Sequence, residues 1–167
     1  MGRGARNFPP YPPLVAKLQR PTKAYVKMKF SGKRVLIVED EFLVALGLED
    51  NLRALGCTVV GPVASLSAAM AAAAHETVDA AILDVNLAGE YVFPAAAILV
   101  DRGIPFMFCS GYSGSGRLPE KFADTPRVPK PYTSKAIAAT LADLMGTGDN
   151  DEGQGGSRGG FENPSHF

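Results

Sequence analysis

The sequence predicts an α/β fold in which a parallel sheet of five strands carries helices on both faces. Two observations lead to this prediction. Short continuous apolar runs, as in strands buried on both faces, alternate along the chain with longer segments whose apolar residues recur at helical spacing. Gly and Pro residues punctuate the boundaries between these segments. Such alternation favours right-handed crossovers and a doubly wound parallel sheet.

The five strands are predicted at the apolar runs 34–38, 58–61, 80–83, 105–109 and 127–128. The first is the run Val35 to Val38, which ends in acids, and the third ends at Asp84. Each run is short and rich in Val, Ile, Leu or Phe, which is typical of strands with both faces covered. Ligands of such open sheets bind beyond the carboxyl ends of the strands, so the residues at those ends are candidate site residues.

The first helix follows the first strand, because apolar residues recur there at helical spacing and Gly56 can cap its end. We expect its apolar residues to face the core, and they are Phe42, Ala45, Leu46, Leu52 and Leu55. The second helix is rich in alanine, extends to about His75, and begins at a cap formed by Ser65 or Ser67.

The third helix is predicted over 95–102, with Pro94 suited to its first turn and Gly103 closing it. The fourth helix should be short or irregular, because three glycines and Pro119 interrupt its segment and each interior Gly costs about 1 kcal/mol relative to Ala. A final amphipathic helix is predicted over 136–145.

The chain has 167 residues, which predicts one domain with two tails. Residues 1–32 read as an irregular, Pro-rich basic arm, 33–145 as the folded domain, and 146–167 as a disordered Gly-rich tail. A basic arm could contact nucleic acid or an anionic membrane, although a solvated leader is the simpler interpretation, and Met28 could be the start of translation. No segment resembles a signal peptide or a membrane span.

The two cysteines, Cys57 and Cys109, lie in separate apolar segments and belong to no metal-binding motif. We expect both to stay reduced, which agrees with a cytoplasmic location.

Polar side chains follow four of the predicted strands at the same edge of the sheet. Glu39 and Asp40 end the first strand, with Glu41 next, Asp84 ends the third, Ser110 the fourth, and Lys130 follows the fifth. Carboxylates this close repel each other unless a cation joins them, and their hard oxygen atoms suit Mg²⁺ (or Mn²⁺). Mg²⁺ keeps several waters, which leaves room for a phosphoryl oxygen.

The segments VLIVEDE (35–41), ILDVNL (82–87) and PKPY (129–132) resemble the receiver domains of response regulators in bacterial two-component systems. The resemblance covers about residues 33–145 and implies a flavodoxin-like sheet with strand order 2-1-3-4-5. It implies that Asp84 is the phosphoacceptor and that Asp40 binds the metal directly. Glu39 then acts directly or through water, and the backbone carbonyl of Asn86 completes the metal ligands.

The same resemblance implies that the Ser110 hydroxyl and the Lys130 ammonium contact the phosphoryl group. Receivers often carry a cis bond before the proline that follows this lysine, so we expect one at Lys130-Pro131. Three residues before the lysine, receivers usually have a Tyr or Phe that turns inward on phosphorylation. Here that residue is Arg127, so Tyr112 is considered as a substitute switch.

A narrower resemblance joins FCSGY (108–112) to the Phe-Ala-Thr-Gly-Tyr motif of a receiver subfamily common in alphaproteobacteria. Members often stand alone as single domains and work with histidine kinases of the HWE or a related class. The resemblance therefore implies a sensor kinase and an unknown downstream protein as partners. Neither tail is long enough for a DNA-binding domain, and we expect a monomer or a weak homodimer.

Two alternatives remain open. A phosphatase of the haloacid-dehalogenase type also places a nucleophilic Asp at a strand end, but it needs an acid two residues later, where this chain has Asn86. A pseudo-receiver would only bind partners; the complete set of Asp40, Asp84 and Lys130 argues against it, whereas Arg127 keeps it open. In the preferred interpretation the chain is a signalling domain that catalyses only its own phosphorylation and dephosphorylation.

Overall fold

The structure is a computed structural model that describes residues 29–111 and 118–147. The predictions for residues 1–28, for Tyr112 and for residues 148–167 lie outside this part of the chain. Within it, strands and helices alternate as predicted.

The sheet has five strands, all paired in parallel, in the order β2-β1-β3-β4-β5. The strands are β1 Arg34–Val38, β2 Thr58–Val63, β3 Ala80–Asp84, β4 Phe106–Ser110 and β5 Arg127–Pro129. Every residue of the two central strands β3 and β4 is buried, which explains why their sequences are continuous apolar runs. The predicted fold class and the strand order 2-1-3-4-5 are confirmed.

Among the described residues, the α-helices that cover the sheet are α1 Phe42–Leu55, α2 Leu66–His75, α3 Phe93–Asp101 and α4 Ser134–Leu144. Gly56 ends α1 in the left-handed conformation with φ of 93°, and the Ser65 side chain caps α2 by accepting a hydrogen bond from the Ala68 amide. In the described part of the connection between β4 and β5, the helical element is a single 3-10 turn, Glu120–Phe122, so the short or irregular fourth helix is also confirmed there.

The core has two halves because successive strand residues point to opposite faces of the sheet. Leu36, Val38, Ala81 and Leu83 pack with α2, α3 and Phe122 on one face. Residues of the same strands with the other parity pack with α1 and α4 on the opposite face, and they include Val35, Ile37, Ala80 and Ile82.

The apolar face of α1 differs from the prediction. Phe42 and Leu46 were expected in the core, but they are 77% and 41% exposed. The buried stripe of this helix consists instead of Ala45, Leu48 and Leu52. The small side chain of Ala45 lets the helix approach the sheet closely, whereas Phe42 and its neighbour Leu43, 78% exposed, lie at the first turn and face away from the core.

Two further details differ from the sequence analysis. Phe30, assigned to the irregular arm, is 1% exposed and packs in the core with Leu52 and Leu141. Strand β2 was expected to end at Gly61 but continues to Val63, past a cis Gly61-Pro62 bond. Pro62 is compatible with β2 because this strand lies at the edge of the sheet, where the proline's missing N–H costs no hydrogen bond between strands. No described helix is long and apolar enough to span a bilayer.

Candidate functional site

The polar residues predicted at the strand ends do meet at one edge of the sheet. Glu39 follows β1, while Asp84 and Ser110 are the last residues of β3 and β4. These three are the buried polar residues of the described chain, with 2%, 7% and 7% exposure. Burying three such groups in one place costs free energy unless partners compensate it, which marks this edge as a site with chemistry of its own.

Lys130 supplies the central positive charge of this site. Its Nζ lies 2.6 Å from Oδ2 of Asp84, 2.7 Å from Oε2 of Glu39 and 3.6 Å from Oε1 of Glu41. The lysine is held in place where it leaves β5, because its backbone N–H donates to the Ser110 carbonyl at 2.8 Å. The Lys130-Pro131 bond is cis, as predicted.

The pKa shifts of Glu39 and Lys130 have two causes, which are burial and the contacts that these residues make. Burial raises the pKa of Glu39 to about 7; the contact with Lys130 opposes this rise, and the nearby Asp84 charge adds to it. Burial lowers the pKa of Lys130, but its bonds to Asp84 and Glu39 outweigh burial, so the pKa is raised and the ammonium stays charged. Oε2 of Glu39 is buried, and the Lys130 ammonium lies 2.7 Å from it.

The oxygens that could hold a metal form a compact group. One carboxylate oxygen from each of Glu39, Glu41 and Asp84 lies within 4.8 Å of the others. Hard oxygen donors of this kind fit Mg²⁺. The sequence analysis did not assign Glu41 to the metal, although it is the third acid of the run Glu39 to Glu41, and that run was the available signal.

Asp40, predicted to bind the metal directly, is not a member of this oxygen group. Its Oδ2 accepts a hydrogen bond from the backbone N–H of Ala88 at 2.9 Å, so the carboxylate is tied to the turn that follows β3. In the same turn the Asn86 N–H donates to Oδ1 of Asp84 at 3.1 Å, and the Asn86 side-chain oxygen accepts from the Gly89 N–H at 2.8 Å.

Ala88 has a φ of 51°, in the left-handed region. This conformation costs a residue with a Cβ about 1–2 kcal/mol.

The two residues considered for a conformational switch are Arg127 and Tyr112. Arg127 lies on β5 opposite Phe108, and its side chain is exposed, so no aromatic ring can turn inward from this position. Tyr112 lies outside the described residues.

A row of stacked aromatic rings, which the sequence analysis did not identify, leads away from the site. Tyr91 stacks on Phe93 with ring centroids 5.3 Å apart, and Phe93 stacks on Phe122 at 5.7 Å. The sequence signal that could have indicated it is the presence of two aromatic residues, Tyr91 and Phe93, just after the turn that follows β3. The rings connect that turn to the 3-10 turn between β4 and β5.

Comparisons with known proteins are consistent with this geometry. No family model and no curated protein matches the chain. Among solved structures, it is similar to the solution structure of SdrG from Sphingomonas melonis Fr1, with 43% identity and a TM-score of 0.62, covering 68% of this chain and 97% of that one. A second structure of SdrG, in its BeF3-activated conformation, matches with 42% identity and a TM-score of 0.58 over 69% and 98% of the two chains.

Two further structures extend the likeness. The receiver domain of the Erythrobacter litoralis response regulator PhyR is 30% identical with a TM-score of 0.60, covering 71% of this chain and 94% of that one. The receiver domain of the sensor kinase PA1611 from Pseudomonas aeruginosa PAO1, which holds a magnesium ion in its active site cleft, has 24% identity and a TM-score of 0.61 over 70% and 99%. This last likeness concerns the fold alone.

The identity to SdrG and to the PhyR receiver extends over nearly the whole length of those two chains. Together with the parallel sheet and with Glu39, Asp84 and Lys130 at its carboxyl edge, this identity establishes the family. The chain belongs to the receiver domains of two-component response regulators.

Proposed function

We propose that Asp84 accepts a phosphoryl group from a sensor histidine kinase, with Mg²⁺ as cofactor, and that the phosphorylated domain signals by protein contact or by passing the group on. The observation that carries this proposal is the position of Asp84. It is buried at the sheet edge, with the Lys130 ammonium 2.6 Å from Oδ2 and the Asn86 amide 3.1 Å from Oδ1.

In the proposed reaction a carboxylate oxygen of Asp84 attacks phosphorus while the bond from phosphorus to the donor imidazole nitrogen breaks. The imidazole keeps the electron pair, and an acyl phosphate forms on Asp84. Charge on the transferred group is spread over its oxygens, so catalysis consists mainly of positioning and charge neutralisation. Lys130 contributes one positive charge within reach, and Ser110, at the end of β4, contributes a hydroxyl that can donate to a phosphoryl oxygen.

The metal would add charge neutralisation to the same oxygens. We propose as its ligands Asp84, Asp40, the carbonyl of Asn86 and Glu39, the last directly or through water. The oxygen group of Glu39, Glu41 and Asp84 supports this proposal and adds Glu41 as a candidate. The BeF3-activated conformation of SdrG, which is 42% identical to this chain, supports a phosphoryl-binding role for this edge of the sheet.

The kinase partner, of the HWE or a related class in our proposal, needs a docking surface beside Asp84. The start of α1 offers one, because Phe42, Leu43 and Leu46 are exposed there and Phe42 directly follows Glu41. Exposed apolar side chains grouped in this way are typical of protein contact surfaces. The proposed domain, residues 33–145, should be extended to include Phe30, which packs in its core.

A phosphatase of the haloacid-dehalogenase type is not favoured. The residue two positions after Asp84 is Asn86, and its side-chain oxygen already accepts a hydrogen bond from Gly89. An amide cannot act as the proton donor that this chemistry requires.

The test is phosphorylation with a small phosphodonor, acetyl phosphate, in the presence of Mg²⁺. We expect one phosphoryl group per chain, stable in acid and labile in base, and no labelling of Asp84→Asn. Asp101→Asn is the matched control, because Asp101 is an exposed aspartate at the end of α3. Labelling of Asp84→Asn at the wild-type level would refute the assignment.

A further inference from the structure

The turn after β3 holds Ala88 in a backbone conformation that its side chain disfavours. Leu87 and Glu90 pair across a two-residue hairpin whose central residues, Ala88 and Gly89, both have positive φ, 51° and 97°. Such turns prefer Asn, Asp or Gly at their first central position, because those residues tolerate the left-handed region. Alanine, unlike Gly, carries a Cβ, and unlike Asn it has no polar side chain that could stabilise the left-handed conformation. Contacts from residues outside the turn must therefore hold it.

Asp40 provides such a contact. Its Oδ2 accepts from the Ala88 N–H at 2.9 Å, across 48 positions of sequence. A hydrogen bond from an amide to a carboxylate is charge-assisted and therefore stronger than one between neutral groups. The Asn86 side chain supports the other half of the turn by accepting from the Gly89 N–H at 2.8 Å.

We propose that Ala88, through its backbone amide, is the positioning residue for Asp40, and that Mg²⁺ binding and order in the turn stabilise each other through this bond. The inference rests on the proposed function, because it takes Asp40 as a metal ligand. A carboxylate has two oxygens, so while Oδ2 of Asp40 accepts from the Ala88 N–H, Oδ1 would remain available to a metal. The bond restricts rotation of the Asp40 side chain, so the metal finds a ligand already oriented.

The coupling is reciprocal by thermodynamic linkage. A metal held by Asp40 would restrict rotation of the carboxylate and so strengthen its hydrogen bond to the Ala88 amide. The ordered hairpin in turn restricts Tyr91, which pairs with Asn86. Tyr91 is 57% exposed, and its ring stacks on Phe93. Because Phe93 stacks on Phe122, the effect extends to the connection between β4 and β5 without involving Arg127.

Solvent exchange of the Ala88 amide, measured by NMR with and without Mg²⁺, tests this inference in the full chain. In the wild type we expect Mg²⁺ to slow this exchange by about fivefold or more. Asp40→Asn keeps an acceptor oxygen but loses the charge, so exchange should lie within about threefold of the wild type without metal and should not respond to Mg²⁺. Asp40→Ala should exchange about tenfold faster, with no response to Mg²⁺.

Glu41→Gln is the matched control, because Glu41 belongs to the acidic group but has no described contact with Ala88. It should leave Ala88 exchange unchanged without metal. Equal exchange in Asp40→Ala and the wild type would overturn the inference, as would Mg²⁺ leaving wild-type exchange unchanged or accelerating it. The Asp40→Ala comparison needs no metal and no phosphoryl group. A failure of the proposed function would appear separately, as unlabelled Asp84 with acetyl phosphate.

Discussion

Glu39 is a buried carboxyl that shares the Lys130 ammonium with Asp84, and its burial makes it sensitive to pH. Folding raises its pKa from 4.5 to about 7, mainly through burial. Between these values the folded protein binds more protons than the unfolded chain. The stability that Glu39 contributes is therefore fully present below pH 4.5 and is lost as pH rises through 7.

We predict that, without divalent metal, Glu39→Gln is more stable than the wild type at pH 8 by about 1–3 kcal/mol, and that this advantage disappears towards pH 5. The reason is that the amide needs no proton to remain neutral. Urea unfolding at the two pH values measures the difference. Glu41→Gln is the control, since its side chain is 65% exposed and should change stability by only a few tenths of a kcal/mol. A constant difference from pH 5 to pH 8 would contradict the argument.

For the individual residues at the carboxyl edge of the sheet, the sequence predicted which side chains meet but not how each side chain is oriented. Glu39, Asp84, Ser110 and Lys130 could be placed together because the carboxyl ends of parallel strands share one edge. The bond of Asp40 to Ala88 could not be predicted, because it depends on a turn in which an alanine takes a positive φ, and no sequence rule favours that conformation.

Helix α2 shows how much of an element depends on one side chain. It is rich in alanine, and the Ser65 Oγ accepts from the Ala68 N–H at 3.3 Å to satisfy a free amide at its start. The sequence left the choice between Ser65 and Ser67 open. We predict that Ser65→Ala lowers the free energy of unfolding by about 1 kcal/mol and that Ser67→Ala changes it by less than about half of that. Urea unfolding compares the two variants, and equal losses would contradict the cap assignment.

Helix α1 has two apolar stripes, and periodicity alone cannot decide which of them faces the sheet. Ala45, Leu48 and Leu52 form the buried stripe, whereas Phe42 and Leu46 are exposed. The small Ala45 occupies the sheet-facing position in the first turn, and the larger Phe42 and Leu46 lie on the outer side of the helix. Phe42 and its neighbour Leu43, which is 78% exposed, therefore lie at the surface next to the acidic residues.

We therefore predict that Phe42→Ser with Leu43→Ser slows phosphoryl transfer from the cognate kinase by about tenfold, because apolar contact area at the docking surface is lost. Labelling by acetyl phosphate should stay within about twofold of the wild type, since a small donor needs no such surface. Met70→Ser with Val100→Ser, two exposed apolar residues on α2 and α3, is the control pair. Slowing of both donors alike by the first pair would indicate a damaged site instead of a lost contact.

Over the whole molecule, the sheet brings together acids that are distant in sequence. Glu39 and Glu41 come from the end of β1 and Asp84 from the end of β3, and their oxygens approach within 4.8 Å only when both strands are paired. The unfolded chain has no such group, so a cation that needs these oxygens binds the folded state. Three carboxylates face a single ammonium there, and the excess negative charge weakens the fold until a cation offsets it.

We predict that millimolar Mg²⁺ raises the melting temperature by about 3–6 °C, which corresponds to a concentration near ten times a weak dissociation constant. Binding should be weak because only a few protein groups reach the ion and water supplies its other ligands. Asp40→Ala should lose most of the rise, whereas Asp101→Asn, a change at the far end of α3, should keep it. Calorimetry with Mg²⁺, and again after addition of a chelator, measures both effects. A rise of equal size in Asp40→Ala would contradict the proposed role of Asp40 as a direct ligand, because loss of such a ligand weakens binding.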